Sequence, residues 1–235
     1  MAAAIGAAIL VGLGIWQLHR LAWKQDLLAR IARLSDAPGR PIEPLLADAA
    51  RGRDVDFMRV RAACLEPATP SPTVFRYALR GGQIGWRVIG VCHLGDGPFD
   101  GILVDRGLAE RFAGAMAPTG ARFAEPGVVS GLLRRVGPRS LLDSPPQDGA
   151  AGVTVLRNLD LQGLERIARR AGLRAPAPYL LASESEQPAP AGLRPAPLPS
   201  EIPNNHFAYA LTWFGLAGAL ACIYAAKLWE WLKLR

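Results

Sequence analysis

A run without any charged side chain, from residue 207 to residue 226, constrains the fold of this chain more than any other feature. As a helix, a run of this length extends about 30 Å, which matches the hydrocarbon core of a bilayer. Basic and aromatic residues follow it directly: Lys227, Trp229, Trp231, Lys233 and Arg235. Such side chains lie among lipid headgroups at the ends of membrane helices. The sequence therefore predicts a transmembrane helix over residues 204–228.

The N-terminal residues 1–18 are also uncharged and consist mainly of Ala, Ile, Leu, Val and Gly. A secretory signal peptide would place a basic segment before the apolar one and a small-residue cleavage site after it, and neither is visible. We therefore interpret residues 1–18 as an uncleaved transmembrane helix. The helix is expected to continue over residues 24–34, until Asp36, Pro38 and Pro41 end it.

Residues 19–174, between the two predicted spans, have the pattern of a β-rich extramembrane domain with an entry helix. Two alternating runs within residues 73–94 flank Gly81 and Gly82, which is typical of a hairpin. Further strands are predicted at 54–64, 101–107, 128–136 and 153–156. Residues 159–172 predict a helix that Asp160 caps and Gly172 ends. Because the strands do not alternate with helices, we expect a mainly antiparallel α+β domain flanked by two transmembrane helices.

Prolines are dense in residues 175–203, at positions 176, 178, 188, 190, 195, 197, 199 and 203. A proline-rich segment is semi-extended and lacks the N–H groups that a sheet interior requires. The sequence therefore predicts a tether between the domain and the second span. Its one apolar stretch, Tyr179-Leu180-Leu181, is expected to pair with the domain.

Cysteines, charge and motifs exclude several classes of protein. Cys64, Cys92 and Cys222 form no CxxC pair and no even set, so they predict neither a disulfide framework nor a metal site. The net charge of +7 comes from basic residues that are interspersed with acidic ones, which is not the stripe of a nucleic-acid binder. The sequence contains no GxSxG, P-loop, HExxH or dinucleotide motif, so we expect no enzymatic activity.

The charges beside the two spans disagree about orientation. Arg20, Lys24, Arg30 and Arg33 follow the first span and favour a cytoplasmic domain, whereas the basic residues after the second span favour the reverse. Because the positive-inside rule is weak for long translocated segments, we expect both termini in the cytoplasm and the domain outside it.

One face of the first helix carries two indoles and two cations: Trp16, Arg20, Trp23 and Lys24. This face is either an anchor among lipid headgroups or a docking face for an anionic headgroup or a propionate. At the start of the second span, Asn204 or Asn205 is expected to accept the N–H groups of the first helical turn.

Two terminal motifs resemble the signatures of the surfeit locus protein 1 family, whose members are two-span assembly factors of haem-copper cytochrome c oxidase. The first comprises Gly14, Trp16, Gln17, Leu18, Arg20, Leu21, Trp23 and Lys24; the second is IPNNHFAYALTWFGLA, residues 202–217. In the middle, residues 103–107 (LVDRG) resemble the family's LVNRG strand, and residues 128–134 resemble its VxGxLR strand. The chain departs from the family at Asp105, where Asn is usual, at Ala109, where Trp-Val is usual, and at Asn158-Leu159, where a Trp is common.

The resemblance implies that the protein holds haem a for insertion into oxidase subunit I, with His206 as the axial ligand of the iron. A neutral imidazole is a common haem ligand, and the bilayer edge shields a porphyrin from water. Tyr209, Thr212 or Trp213, and Leu216 or Ala217 are expected on the same helical face as His206. Arg20 and Lys24 would offset the propionates, and Trp16 would complete the site. The alternative is that His206 only caps the helix, with Tyr209 and Trp213 in an aromatic belt.

The other two histidines are expected to be interfacial (His19) and on the surface (His93). The implied partners are oxidase subunit I, other assembly factors and the lipid bilayer. The implied location is the cytoplasmic membrane of a bacterium, with the domain in the periplasm, or the mitochondrial inner membrane of a eukaryote. A second function remains open, in which the protein is a haem-independent scaffold that stabilises an intermediate of subunit I assembly.

Overall fold

The computed structural model describes residues 2–80, 83–113, 123–139, 147–148, 154–195 and 204–234. The chain forms two compact units, one of Met1–Arg33 with Pro199–Arg235 and one of Leu34–Leu198. The helices are α1 (Ala2–Ser35), α2 (Ile42–Ala50), α3 (Leu161–Arg170) and α4 (His206–Lys233). The strands are β1 (Arg40–Pro41), β2 (Arg59–Ala63), β3 (Val74–Arg80), β4 (Gln83–His93), β5 (Gly101–Ala113), β6 (Val128–Arg135), β7 (Gln147–Asp148), β8 (Thr154–Leu156), β9 (Pro176–Gln187) and β10 (Leu193–Arg194).

The first unit consists of α1 and α4, and both helices are long and apolar enough to cross a membrane. Large apolar side chains point outward along α1, with Ile5, Ile9 and Ile15 all exposed, as lipid-facing residues would be. The helix α1 ends at Ser35, immediately before Asp36, as the sequence predicts. The prediction of two candidate membrane helices flanking a domain is therefore confirmed.

Glycines of α1 face large side chains of α4. A Cβ atom at Gly14 would lie 2.6 Å from the ring of Phe214, and one at Gly6 would lie 3.3 Å from Leu220. Because the residue number falls along α1 as it rises along α4, the two helices are antiparallel. The absence of a side chain at Gly14 is what lets the Phe214 ring pack against the α1 backbone.

The second unit is built on a ten-stranded mixed sheet with the order β1-β2-β6-β9-β5-β4-β3-β8-β7, in which β10 pairs with β5. Most of the described pairs are antiparallel, but β1 with β2, β3 with β8 and β5 with β9 are parallel. The hairpin predicted over residues 73–94 is confirmed by the pairing of β3 with β4. Its predicted turn at Gly81 and Gly82 lies outside the described residues.

Two helices pack on the sheet. One core cluster contains Ile42, Leu45 and Leu46 of α2 together with residues of β2, β4, β5, β6 and β9. A second cluster contains apolar residues of α3 with β3, β4, β5 and β9. The predicted helix is confirmed, since the Asp160 carboxylate accepts a hydrogen bond from the N–H of Gly163 at 2.6 Å and Gly172 follows with φ = 87°. The sequence analysis missed α2, a nine-residue helix.

The predicted tether over residues 175–203 is wrong in its first half, because β9 (Pro176–Gln187) lies inside the sheet between β6 and β5. Pro176 and Pro178 stand at the start of the strand, where missing N–H groups cost least. The proline-free remainder supplies the ladder with both neighbours. The expected pairing of Tyr179-Leu180-Leu181 is confirmed, with Leu180 opposite Leu103.

The prediction of unpaired cysteines is also wrong for two of the three. Cys64 and Cys92 form a disulfide, with Cα atoms 4.8 Å apart. Cys92 is buried in the core at the end of β4, and the bridge between Leu65 and His93 brings the two segments side by side. Cys222, in the second predicted span, is free and exposed.

Candidate functional site in the helical unit

His206 is the first residue of α4, at the point where the chain enters the apolar helix. The expected side-chain cap is absent: Asn205 stands at the N-cap but makes no side-chain cap bond, and its backbone oxygen accepts from Tyr209 N at 3.1 Å. The Oδ1 atom of Asn204 is buried and has no hydrogen-bond partner among the described residues. The start of α4 therefore carries polar groups that capping does not satisfy.

The imidazole of His206 meets the side chain of Gln17 on α1. Nδ1 of His206 and Oε1 of Gln17 are 2.7 Å apart, and the contact is partly buried. The described part of the chain offers no hydrogen-bond partner to the other ring nitrogen, Nε2. The contact therefore ties one edge of the ring to the neighbouring helix.

The residues expected on the face of His206 divide between two faces. Ala210 and Ala217 are buried and Trp213 is half-buried, so these follow His206 along the side of α4 that faces its neighbour. Tyr209 is 56% exposed and Leu216 is 49% exposed. Tyr209 is therefore on the flank of the imidazole, and Trp213 lies two turns along the packed side.

The structure does not bring the cations of α1 onto the imidazole. Trp16 and Arg20 are exposed, and the guanidinium of Arg20 lies 4.6 Å from the centre of the Trp23 ring, a cation–π contact. Lys24 is half-buried. By helical rise, Arg20 lies about 4.5 Å and Lys24 about 10 Å beyond Gln17 along α1. Both cations therefore follow the Gln17 contact at the same end of the helix.

The donor set suits a macrocycle rather than a small metal centre. Within the described ranges, no three His, Cys, Asp or Glu side chains come together as a metal-binding group. A single imidazole beside the exposed rings of Phe207 and Tyr209 instead fits the needs of a haem for one nitrogen ligand and apolar surroundings. The residues present at the start of α4 thus fit the cofactor that the resemblance implies.

The other histidines have different surroundings. His19 is exposed on α1. His93 is half-buried at the end of β4, and its Nε2 atom is buried without a partner in the part of the chain that the structure describes. The expectation that His93 is a surface residue is therefore wrong, since the ring is partly enclosed by the sheet unit.

Buried charges in the sheet unit are paired with one another. Asp105 accepts from Arg87 Nε at 2.8 Å and from Arg76 Nη2 at 2.9 Å. Glu186 and Arg106 form a second pair, with Arg106 Nη2 donating at 2.7 Å. Burial lowers the pKa of the Arg76 guanidinium, and Asp105 opposes that fall. These charged groups neutralise one another inside the fold, and their pairing points to a structural role.

Sequence reasoning assigned no role to Gln17. A signal was present, because Leu10, Gly14, Gln17 and Leu21 have the alternating spacing of three and four residues that faces a partner helix. The structure shows all four as the less exposed residues of α1. A polar amide in an otherwise apolar seam requires a polar partner on the other helix.

Comparison with family models identifies the family of the chain. The model of the SURF1 family matches residues 4–218, which is nearly the whole chain. A search of curated proteins finds no significant match.

Proposed function

Because the chain belongs to the SURF1 family, a family of oxidase assembly factors, we propose that it binds haem a through His206 and presents it for insertion into subunit I of cytochrome c oxidase. The observation that carries the proposal is the His206 side chain, which contacts Gln17 through Nδ1 and makes no hydrogen bond through Nε2 among the described residues. When bound, haem a supplies an iron atom whose axial position a neutral imidazole nitrogen can fill. The protein itself would bind and release, without turnover.

The residues of the helical unit have distinct parts in this proposal. His206 holds the cofactor in place, and Trp213 and Tyr209 pack against the macrocycle at two positions around it. Arg20 and Lys24 attract the propionates, because each carries a positive charge beyond Gln17 on the same helix. Trp16, one turn before Arg20, adds an exposed aromatic surface.

The domain is proposed to lie outside the cytoplasm. Disulfides form and persist in oxidising compartments, so the Cys64–Cys92 bond supports this side of the membrane. The antiparallel pairing of α1 and α4 requires both termini to lie on one side of the membrane but does not itself select that side. In a bacterium this compartment is the periplasm.

Labelling of intact cells tests the orientation. In a Cys222→Ser background, Ala191→Cys places a thiol on an exposed turn of the sheet unit. A membrane-impermeant maleimide should label it in intact spheroplasts of a bacterial expression host. Gly12→Cys, inside the first predicted span, is the control and should stay unlabelled. Labelling of Ala191→Cys only after lysis would reverse the proposed orientation.

Haem copurification tests the binding proposal. The protein is purified in detergent from cells that make haem a, and the haem a absorbance per protein is compared among variants. His206→Ala should lose the bound haem while keeping its place in the membrane fraction. His19→Ala, on the exposed side of α1, is the matched control and should keep wild-type occupancy, as should His93→Ala. Arg20→Ala should give a haem a occupancy between those of the wild type and His206→Ala if the cation meets a propionate. It should leave the occupancy unchanged if the cation only stacks on Trp23.

Failure of this test has a defined meaning. If the His206→Ala protein copurifies with haem a at the wild-type ratio and with the wild-type spectrum, His206 is not the ligand. Absence of haem a from the wild-type protein, together with capture of oxidase subunit I, would instead favour the haem-independent scaffold.

A further inference from the structure

Gln17 contacts the one histidine on which the proposed function depends. The two side chains come from the first and the last helix of the chain, 189 residues apart in sequence, and meet at 2.7 Å. The atom of Gln17 that faces the ring is its carbonyl oxygen, Oε1. A carbonyl oxygen accepts hydrogen bonds and donates none.

This contact has a consequence for the proton of the imidazole. Because Oε1 only accepts, Nδ1 of His206 must carry the hydrogen of the neutral ring. The other nitrogen, Nε2, then has a free lone pair and no hydrogen. A nitrogen in that state can coordinate iron, whereas a protonated one cannot.

The contact also fixes the direction of the ring. A histidine that binds a metal through one nitrogen commonly donates its other N–H to an oxygen acceptor, which sets the tautomer and the ring plane. Gln17 stands on a helix, one turn from Gly14, where the Phe214 ring packs against the α1 backbone. The acceptor is therefore held by the packing of the hairpin.

We infer that Gln17 is a positioning residue, which holds His206 in the Nδ1–H tautomer and so leaves the lone pair of Nε2 available to the iron of haem a. The inference rests on the proposed function for its ligand, but the tautomer is a property of the protein alone. A purely structural bond between the helices would be satisfied by either end of the amide, because the NH₂ group can donate to an unprotonated Nδ1. The positioning role requires the oxygen.

Nitrogen NMR of the protein without haem tests the tautomer directly. The chain has three histidines, so the His19→Gln, His93→Gln double variant leaves His206 as the only one. The protein is labelled with ¹⁵N-histidine in detergent, and the pH is raised until the nitrogen shifts stop changing, so that the spectrum reports the neutral ring. We expect a protonated Nδ1 and an unprotonated Nε2.

Gln17→Leu is the informative variant, because it keeps a side chain of similar size and removes the acceptor. It should give a mixture of the two tautomers, or the Nε2–H form, in place of the single wild-type form. Gln25→Leu, at an exposed position farther along α1, is the matched control and should leave the spectrum unchanged. A wild-type spectrum with hydrogen on Nε2, or an unchanged tautomer in Gln17→Leu, overturns the inference.

The haem-loaded protein gives a second readout, the midpoint potential of the haem. A purely structural role for Gln17 would not predict a ranking of this potential among variants. Gln17→Glu offers a stronger acceptor, so the imidazole becomes a better donor to iron and the midpoint potential should fall. Gln17→Leu should raise it. Equal potentials in all three proteins contradict the positioning role.

The two readouts separate this inference from the proposed function. If the apo protein has the Nδ1–H tautomer and loses it in Gln17→Leu, but wild-type protein never carries haem a, then the positioning stands and the haem proposal fails. If haem a is bound but the tautomer is independent of Gln17, the haem proposal stands and the positioning role fails.

Discussion

The buried charged side chains of the sheet unit and the imidazole of His206 in the helical unit differ in how they are partnered. In the described part of the sheet unit, the buried charged side chains are Asp105, Arg106, Asp160 and Glu186, and each has a partner. In the helical unit, Nδ1 of the His206 imidazole is hydrogen-bonded, whereas the described residues provide no hydrogen bond to Nε2. A saturated group can only stabilise the fold, whereas a group with an open position can take a ligand. The contrast is therefore between ion pairs that neutralise one another and an imidazole with one nitrogen left for the proposed ligand.

Glu186→Ala should have the largest effect on stability. It leaves the Arg106 guanidinium, whose side chain is 4% exposed, without its carboxylate partner. Breaking a buried ion pair in this way costs about 3–5 kcal/mol. This loss is measured as the change in the free energy of unfolding of the full chain in detergent. The unfolding is followed by near-UV circular dichroism during a urea titration.

Glu184→Ala is the control on the same strand. Its partner Arg59 and its own side chain are 32% and 26% exposed, so the loss should be at most about 1 kcal/mol. Equal losses for Glu184→Ala and Glu186→Ala would mean that burial does not decide the strength of these pairs.

Gly131→Ala should lower the free energy of unfolding nearly as much as Glu186→Ala does, by about 3 kcal/mol. A Cβ atom at Gly131 would lie 2.0 Å from the backbone oxygen of Ala182, so β6 and β9 would have to separate. Gly137→Ala, where no atom lies within 4 Å, should change the same unfolding free energy little. An unfolding free energy of Gly131→Ala close to that of the wild type would show that β6 and β9 can separate at little cost.

Gly14→Ala should weaken the hairpin by about 1 kcal/mol, because the methyl group displaces the Phe214 ring rather than backbone. The measurement is cross-linking by a short bismaleimide between Gly6→Cys and Leu220→Cys in a Cys222→Ser background. The yield should fall with Gly14→Ala. It should not fall with Gly12→Ala, where the added carbon meets no atom within 4 Å. An unchanged yield would show that close approach at Gly14 is dispensable.

Trp213→Ala should have the smallest effect, and on haem rather than on folding. Loss of a half-buried indole costs about 1 kcal/mol of packing, which is roughly a fivefold loss of haem a affinity. His206→Ala removes the coordinate bond and should cost far more. Haem a titration of the purified proteins ranks them, and a larger loss from Trp213→Ala than from His206→Ala would refute the assignment of the ligand.

Local patterns in the sequence predicted the elements that local physics determines. The uncharged runs predicted α1 and α4, alternation predicted the β3–β4 hairpin, and Asp160 predicted the start of α3. The proline content of residues 175–203 concealed β9, because that strand is stabilised by ladders to β5 and β6, which are distant in sequence.

Local sequence patterns could not predict contacts between residues that are distant in the sequence. Cys64 and Cys92 are 28 residues apart, and their meeting depends on the bridge between Leu65 and His93. The partner of His206 was missed for the same reason. The place of His206 at the membrane edge left a ligand and a helix cap both open, and the family resemblance selected the ligand; Gln17 could be selected only once α1 and α4 were known to pack.

The contact between Gln17 and His206 also bears on the order of synthesis. Translation completes α1 at the start, whereas His206 leaves the ribosome only after the entire sheet domain has been made. Nascent chains that stall or are cleaved before α4 therefore contain the acceptor but not the imidazole. Under the proposed function, such chains lack the ligand of haem a, so only molecules whose second span has been made would acquire the cofactor.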